Sequence, residues 1–397
     1  MIFKKYQLRS YNFRLVALII ITGVYALFIV NSANSAYTLR QGAGMVLSFV
    51  MMIVISFIDY NWILKYYWLW YAISSILLLA VKVIGSSAKG AQRWISIGSF
   101  SIQPSEFTKL ILILVLSKLI SMYKDRLNNF KFLGVLAVTV GFQLLLILAQ
   151  PDLSTTLLTF VICVVIVYCA GLEYKVIGKI LMVIIPVIVV LLAYIILDEN
   201  QVILKKYQRN RIMTFIDSNY SSDDASDDDA SDDDTYQQYY AVQAIGSGQL
   251  TGKGLNNTDS SSLKNAGYIA EAQNDFIFAV IGEELGFVGA VFTIILIFAI
   301  VTECLITAVK AQNFAGRLIC CGVAAYIGFQ TFFNIGVVTW ILPNTGIPLP
   351  FFSCGITSLV TVFASMGIVL NVGLHTKVER DEDLFAPDFK DNRYLKN

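Results

Sequence analysis

The chain has 397 residues, of which 56% are hydrophobic and 14% charged, with a formal net charge of +1. A soluble domain carries roughly 25% charged residues, so this composition excludes an ordinary soluble globule and implies an integral membrane protein. The near-zero charge balance gives no reason to expect a nucleic-acid partner.

A bilayer span needs about 20 mostly apolar residues. By that ruler ten helices are predicted, at 15–31, 43–58, 66–84, 104–122, 132–149, 155–171, 176–197, 276–302, 318–337 and 356–374. The expected fold is an all-α polytopic membrane protein of ten transmembrane helices. It forms one membrane domain, 1–397, with a large extracytoplasmic loop, 198–274, between helices seven and eight. The residues from Met1 to Arg14 are polar and basic, and no small-residue cleavage site follows, so the first span reads as an anchor.

Lys and Arg in short loops set orientation. With the N-terminus inside, Lys4, Lys5, Arg9, Arg14, Lys65, Lys118, Lys124, Arg126, Lys131, Lys175, Lys179, Lys310 and Arg317 all fall on the cytoplasmic side. The short outer loops hold Arg40, Lys82, Lys89 and Arg93. Both termini are therefore expected in the cytoplasm. The loop with Lys89 and Arg93 breaks the rule, which suits the binding of an anion.

Within the large loop the pentapeptide ASDDD recurs at 225–229 and 230–234. Such a block repels itself, so 221–235 is expected to be a disordered, solvated tether. It lacks the central Gly and closing Glu of a calcium loop. Lys205, Lys206, Arg209 and Arg211 make a basic patch ahead of it, and the Gly-punctuated stretch 244–255 (AIGSGQLTGKGL) follows. Cys163, Cys169, Cys304, Cys320, Cys321 and Cys354 fall in or beside spans and read as small apolar residues. The single histidine, His375, is placed in the cytoplasmic tail, which removes His triads and His metal clusters from the outer face.

Four polar clusters interrupt the apolar background, and under this topology all fall at the outer surface. They are 90–109 (GAQRWISIGSFSIQPSEFTK); Gln150, Pro151 and Asp152; the polar approach to Asp275; and Asn334 with 342–358 (LPNTGIPLPFFSCGITS). Pro and Gly at that density imply irregular backbone at membrane depth, tolerated only against protein or water. A re-entrant segment lining a cavity is the natural consequence. Asp275 is the focal group, a carboxylate at the mouth of an apolar run, where ionisable side chains face a cavity or a partner. Taken singly, Glu106 and Lys109 at i and i+3 also make a helix-stabilising pair, and Asp152 also caps the sixth helix. Glu283 lies roughly 12 Å beyond Asp275 on a helix, too far for the same proton, and reads as a buried contact with another span.

Together the clusters resemble the SEDS family of shape, elongation, division and sporulation proteins, RodA-, FtsW- and SpoVE-like. The carriers are 90–109, Gln150 to Asp152, 207–211 (YQRNR), 244–255, 275–289 (DFIFAVIGEELGFVG) and 346–353 (GIPLPFFS), in order over nearly the whole chain. The Ile-Asp-Tyr ending at Tyr60 and the GIPLP wording lean toward the RodA-like branch. Departures are Ser154 where the family commonly has Gly, Asn274 for Thr, and Cys354 and Ile356 where an aromatic and a Gly are usual. The resemblance implies a peptidoglycan glycosyltransferase of the bacterial cytoplasmic membrane that polymerises lipid II at the outer leaflet with a class B penicillin-binding protein. It also implies that Asp275 is the essential aspartate.

That reaction needs a base to take a proton from an attacking sugar hydroxyl, and Asp275 is the candidate. The leaving undecaprenyl pyrophosphate wants cations, for which Arg93, Lys109, Arg209 and Arg211 are available, or a divalent Mg or Mn ion. Glu106 would orient Lys109 or hold the metal, and Asp152 and Ser353 complete the expected substrate-binding set. Direct attack inverts the anomeric carbon and needs one carboxylate, where glycosidases flank the bond with two. Two rival readings compete. A precursor flippase needs a hydrophilic path to both leaflets, whereas the cytoplasmic loops are short and ordinary. A non-catalytic scaffold would leave Asp275 dispensable.

Overall fold

The computed structural model describes residues 11–88, 91–97, 100–180, 182, 186, 194, 230–257, 262–269 and 271–385. Asn12 caps α1 (Phe13–Ala33) by accepting from the Leu15 amide at 3.2 Å. Asn34 ends that helix and caps α2 (Ser35–Ser56), accepting from the Ala36 amide at 3.1 Å, so the two helices meet at a single joint. Helix α2 begins well before the expected residue 43. Its first turns are too polar to read as a span and are largely exposed, but Gln41 among them is buried.

Asp59 caps the short α3 (Tyr60–Lys65), which leads to α4 (Tyr67–Ile84). Next come three strands, β1 (Ser86–Ala88), β2 (Ala91–Ile97) and β3 (Phe100–Ile102), paired antiparallel in the order β1-β2-β3. Ile95 faces Ile102 across the second pair. This small sheet departs from the all-helical expectation, because strands so short leave little alternation to detect.

Helix α5 (Pro104–Met122) opens on Pro104, whose missing amide costs nothing in a first turn. Asn129 and Asp152 cap α6 (Phe130–Leu148) and α7 (Leu153–Cys169). Helix α8 (Ala230–Ser247) lies in the large loop, and α9 (Ile277–Lys310), α10 (Phe314–Val338) and α11 (Ile356–Phe385) complete the chain. Of the acidic segment 221–235, residues 221–229 lie outside the described set, while Ala230 begins α8 instead of continuing a tether.

The centre of the bundle is α5, where consecutive residues from Leu112 to Leu116 are all buried. Burial on every side means protein rather than lipid all round, and α4, α7, α10 and α11 surround this helix. Helix α2 lies along α11, and α9 along α10. Peripheral helices instead turn large apolar side chains outward, among them Val83, Val138 and Phe298, giving a surface suited to lipid.

Seven described helices are long and apolar enough to cross a membrane: α1, α2, α4, α6, α9, α10 and the part of α11 up to His375. Helices α5 and α7, of 19 and 17 residues, occupy the fourth and sixth expected places. The expected seventh span, 176–197, falls mostly outside the described residues, so the count of ten rests on the sequence. His375 is not in a tail: it is buried in α11, with Nε2 3.2 Å from Asp59 Oδ1. Beside it Asn371 accepts from the Tyr60 amide at 2.9 Å and donates to the Ser56 carbonyl at 2.8 Å. These contacts close the end of α2 and α11 remote from the four polar clusters.

Candidate active site

Asp275 is half-buried and stands two residues before α9. That helix is broken at Gly286, with φ 64° and ψ −160°, so 277–285 is a separate half-helix leading into the span proper. The loop after α8 fills the break. Lys253 and Gly254 amides donate to the Glu283 and Glu284 carbonyls at 3.0 and 2.9 Å, and Phe287 and Val288 amides donate to Gln249 and Leu250 carbonyls at 2.8 and 3.1 Å. Main-chain groups freed by the break are thereby satisfied within the bundle. Glycine is required for so close an approach. A Cβ on Gly248 would meet the Gly282 oxygen at 1.9 Å, and one on Gly252 the Glu284 oxygen at 2.1 Å.

Glu283 and Glu284 are both buried. Glu283 accepts from Lys253 Nζ at 2.8 Å and from the Leu263 amide at 2.9 Å. Its partner is therefore this lysine of the loop after α8 and not another span. Glu284 accepts from Lys264 Nζ and from the Ser32 hydroxyl of α1.

Behind Asp275, one face of α10 carries Tyr326, Gln330 and Asn334 at a spacing of four. Asn334 Nδ2 donates to the Asp275 carbonyl at 2.6 Å and to the Ile347 carbonyl at 2.8 Å, and Gln330 Nε2 donates to the Pro348 carbonyl at 2.9 Å. The proline-rich segment between α10 and α11 is thus drawn over Asp275. Gly346, at φ 64°, lies against the carboxylate: a Cβ there would be 3.4 Å from Asp275 Oδ2. Ser353 tightens the same segment, its hydroxyl accepting from the Leu349 amide at 2.7 Å and its carbonyl from Gln41 Nε2 at 3.2 Å. The Cys354 amide donates to the Gln273 carbonyl at 2.9 Å. Burial pushes the Cys354 thiol up to about 12, against a smaller downward pull from Arg40, so it is protonated near neutrality.

Glu106 and Lys109 pair at 2.7 Å in the first turns of α5, with the Lys109 side chain 1% exposed. Lys109 also donates to Gln330 Oε1 at 3.3 Å and lies 4.8 Å from the centroid of the Tyr326 ring. The pair reaches the Asp275 segment through Gln330, one residue linking both. Because Glu106 neutralises it, the Lys109 charge acts mainly through this link.

Arg93, on β2, donates to the Pro151 carbonyl and lies 3.9 Å from Asp152 Oδ1, leaving 25% of its side chain exposed. Asp152 caps α7 through the Thr155 amide at 3.1 Å and accepts from Gln103 Nε2 at 3.2 Å. The Gln103 amide in turn donates to Thr357 Oγ1 at 3.4 Å, at the start of α11. All four polar clusters are therefore joined by hydrogen bonds at one end of the bundle. Arg209 and Arg211, with the rest of 207–211, lie outside the described residues.

Of the joints that hold these clusters together, Gln103 falls inside the 90–109 cluster, whereas Gln41, Tyr326 and Gln330 lie outside every cluster. A four-residue spacing of polar groups in an otherwise apolar α10 was the available signal for the last two. Among the described residues no three His, Cys, Asp or Glu side chains converge as a metal cage. A Mg or Mn ion held by Asp275 and the phosphate oxygens of a substrate fits this donor set, since Mg commonly takes one or two carboxylates plus phosphates.

Residues 6–378 match the FtsW, RodA and SpoVE family, described as cell cycle proteins. The chain is 34% identical over 313 residues to the peptidoglycan glycosyltransferase MrdB of Escherichia coli K12, covering 78% of each protein. It is 32% identical over 340 residues to the probable peptidoglycan glycosyltransferase FtsW of Wigglesworthia glossinidia brevipalpis, covering 84% of this chain and 83% of that one. A solved peptidoglycan synthase complex that coordinates polymerization and crosslinking contains a similar chain, with TM-score 0.75, 25% identity, and coverage of 92% here and 98% there. The rod shape determining protein RodA of Thermus thermophilus shares the fold, with TM-score 0.65, 23% identity and the same 92% and 98% coverage. A match across almost the full length, with both relatives above 30% identity, establishes that this chain belongs to the FtsW, RodA and SpoVE family of cell cycle proteins, the SEDS family.

Proposed function

We propose that this protein is a peptidoglycan glycosyltransferase of the bacterial cytoplasmic membrane that polymerises lipid II at the outer face. The observation that carries the reading is the Asp275 carboxylate, presented by a detached half-helix against Gly346 and the segment drawn over it by Asn334 and Gln330. Two relatives named as glycosyltransferases supply the reaction class.

In this reading Asp275 takes the proton from the attacking sugar hydroxyl. The main chain that carries Asp275 is held by Asn334 at the Asp275 carbonyl and by the Cys354 amide at the Gln273 carbonyl, which limits the reorganisation needed at the moment of transfer. Arg93 keeps 25% of its side chain exposed, whereas Lys109 is buried, which suits Arg93 to the departing pyrophosphate. A divalent ion, when bound, would add neutralisation of the same phosphates. Glu106 and Lys109 brace the Pro348 segment through Gln330, and Asp152 and Ser353 hold Arg93 and the covering segment in place. The similar chain in a solved synthase complex of polymerization and crosslinking supports a crosslinking partner, which this reading takes to be a transpeptidase of the class B penicillin-binding type; both termini are placed in the cytoplasm and Asp275 outside on the distribution of Lys and Arg among the short loops.

The test is direct. Purified chain given fluorescent lipid II is expected to form glycan polymer, with more polymer when the transpeptidase partner is added. Lipid II transport across vesicles without polymer would instead support a flippase, and neither activity would support a scaffold.

A further inference from the structure

Buried carboxylates are costly unless fully paired, and Glu283 and Glu284 take no part in the chemistry above. Each is instead satisfied by the outer loop. Glu283 accepts from Lys253 Nζ at 2.8 Å and from the Leu263 and Lys264 amides at 2.9 and 3.3 Å. Glu284 accepts from Lys264 Nζ and the Ser32 hydroxyl, while Lys264 Nζ also donates to the Ser32 carbonyl at 2.7 Å. Ser32 Oγ in turn accepts from the Asn256 amide at 2.8 Å. Three separate pieces of chain, α1, the outer loop and the half-helix, are tied at one point.

The position of that point matters. Gly286 uncouples the half-helix from the span that follows, so the span does not dictate its direction. The glutamates occupy its last turn, and Asp275 sits just before its first. At about 1.5 Å per residue this lever is about 13 Å long, so a tilt of about 5° at the glutamate end displaces Asp275 by about 1 Å. A misplacement of that size costs a rate of order 10²-fold.

We propose that Lys253 with Glu283, and Lys264 with Glu284 and Ser32, are positioning residues that set the aim of Asp275; this rests on reading Asp275 as the base. They act on turnover and not on substrate capture, because their polar atoms are engaged by protein partners. The outer loop thereby becomes part of the catalytic framework.

The experiment uses the full chain in nanodiscs, with lipid II as substrate and turnover normalised to the number of lipid II-binding sites. Lys264→Met is expected to lower kcat per site by about tenfold or more while shifting KM by less than about twofold. Hydrogen exchange is expected to quicken at the amides of Lys253, Gly254, Phe287 and Val288 and to stay unchanged in α5 and α10. If Lys264→Met does not fold, Lys253→Met carries the same expectation, since the Lys253 side chain is 20% exposed. Unchanged kcat per site, an equal change in KM, or exchange quickening throughout the bundle overturns the proposal. Asp275→Asn is assayed alongside. If it is inactive while the lysine variants are unimpaired, the positioning role alone fails; if it is active, the assignment of the base itself fails.

Discussion

At the scale of single residues the account turns on Asp275 and what touches it. Asp275 was legible because a carboxylate stands where a polar stretch ends and an apolar one begins. Gly346 was legible only as part of a motif, and its reason is structural: φ is 64° and the carboxylate lies beside it. Gly346→Ala forces an L-residue into a region costing about 1–3 kcal/mol and places a methyl in contact with Asp275 Oδ2. Its expected effect is a roughly tenfold loss of polymerisation rate with lipid II binding retained, measured by kinetics beside equilibrium binding. Cys354 makes a second residue-level case. Its thiol, pushed up to about 12 by burial, binds a proton in the folded chain that an unfolded one releases near pH 9. Its contribution to stability is therefore complete below about pH 9 and lost as pH rises toward 12. Maleimide labelling of native protein at pH 8 is expected to leave Cys354 unmodified, and labelling to appear on unfolding.

At the scale of elements, hydropathy located most spans because length and apolarity decide what crosses lipid. It could not see what depends on backbone dihedrals or on polar groups enclosed by protein. The stretch 276–302 reads as one span, yet φ at Gly286 divides it. The polar beginning of α2 was excluded by the same ruler, although Gln41 there holds Ser353. The glycines of 244–255 signalled turns, and their packing into the α9 break explains them. Gly252→Ala, whose Cβ would fall 2.1 Å from the Glu284 oxygen, is expected to abolish polymerisation and lower the thermal midpoint. Scanning fluorimetry and a polymer gel check both. In α5, Lys109→Met leaves Glu106 buried and unpaired, a loss of about 3–5 kcal/mol, whereas combining it with Glu106→Leu is expected to recover much of that stability. A denaturant double-mutant cycle reads the difference; equal destabilisation by the single and double variants would contradict the pairing.

At the scale of the whole molecule, four sequence-distant clusters are joined at one end of a helical bundle whose opposite end is closed by Asp59 and His375. Their convergence was legible from span parity, since scattered structural polar groups would divide between both faces. The links between them were not, because Gln330 and Tyr326 carry no charge and sit singly in an apolar helix, and Gln103, though inside a polar cluster, gives no sign in the sequence of its partners. The central claim remains a single proton transfer at Asp275. It is tested most directly by comparing purified wild-type and Asp275→Asn chains, equal in thermal midpoint and lipid II binding, for the rate of glycan polymer formation. The asparagine variant is expected to be slower by about 10²–10⁴-fold, the usual contribution of a general base. Polymerisation by the asparagine variant at the wild-type rate would contradict it.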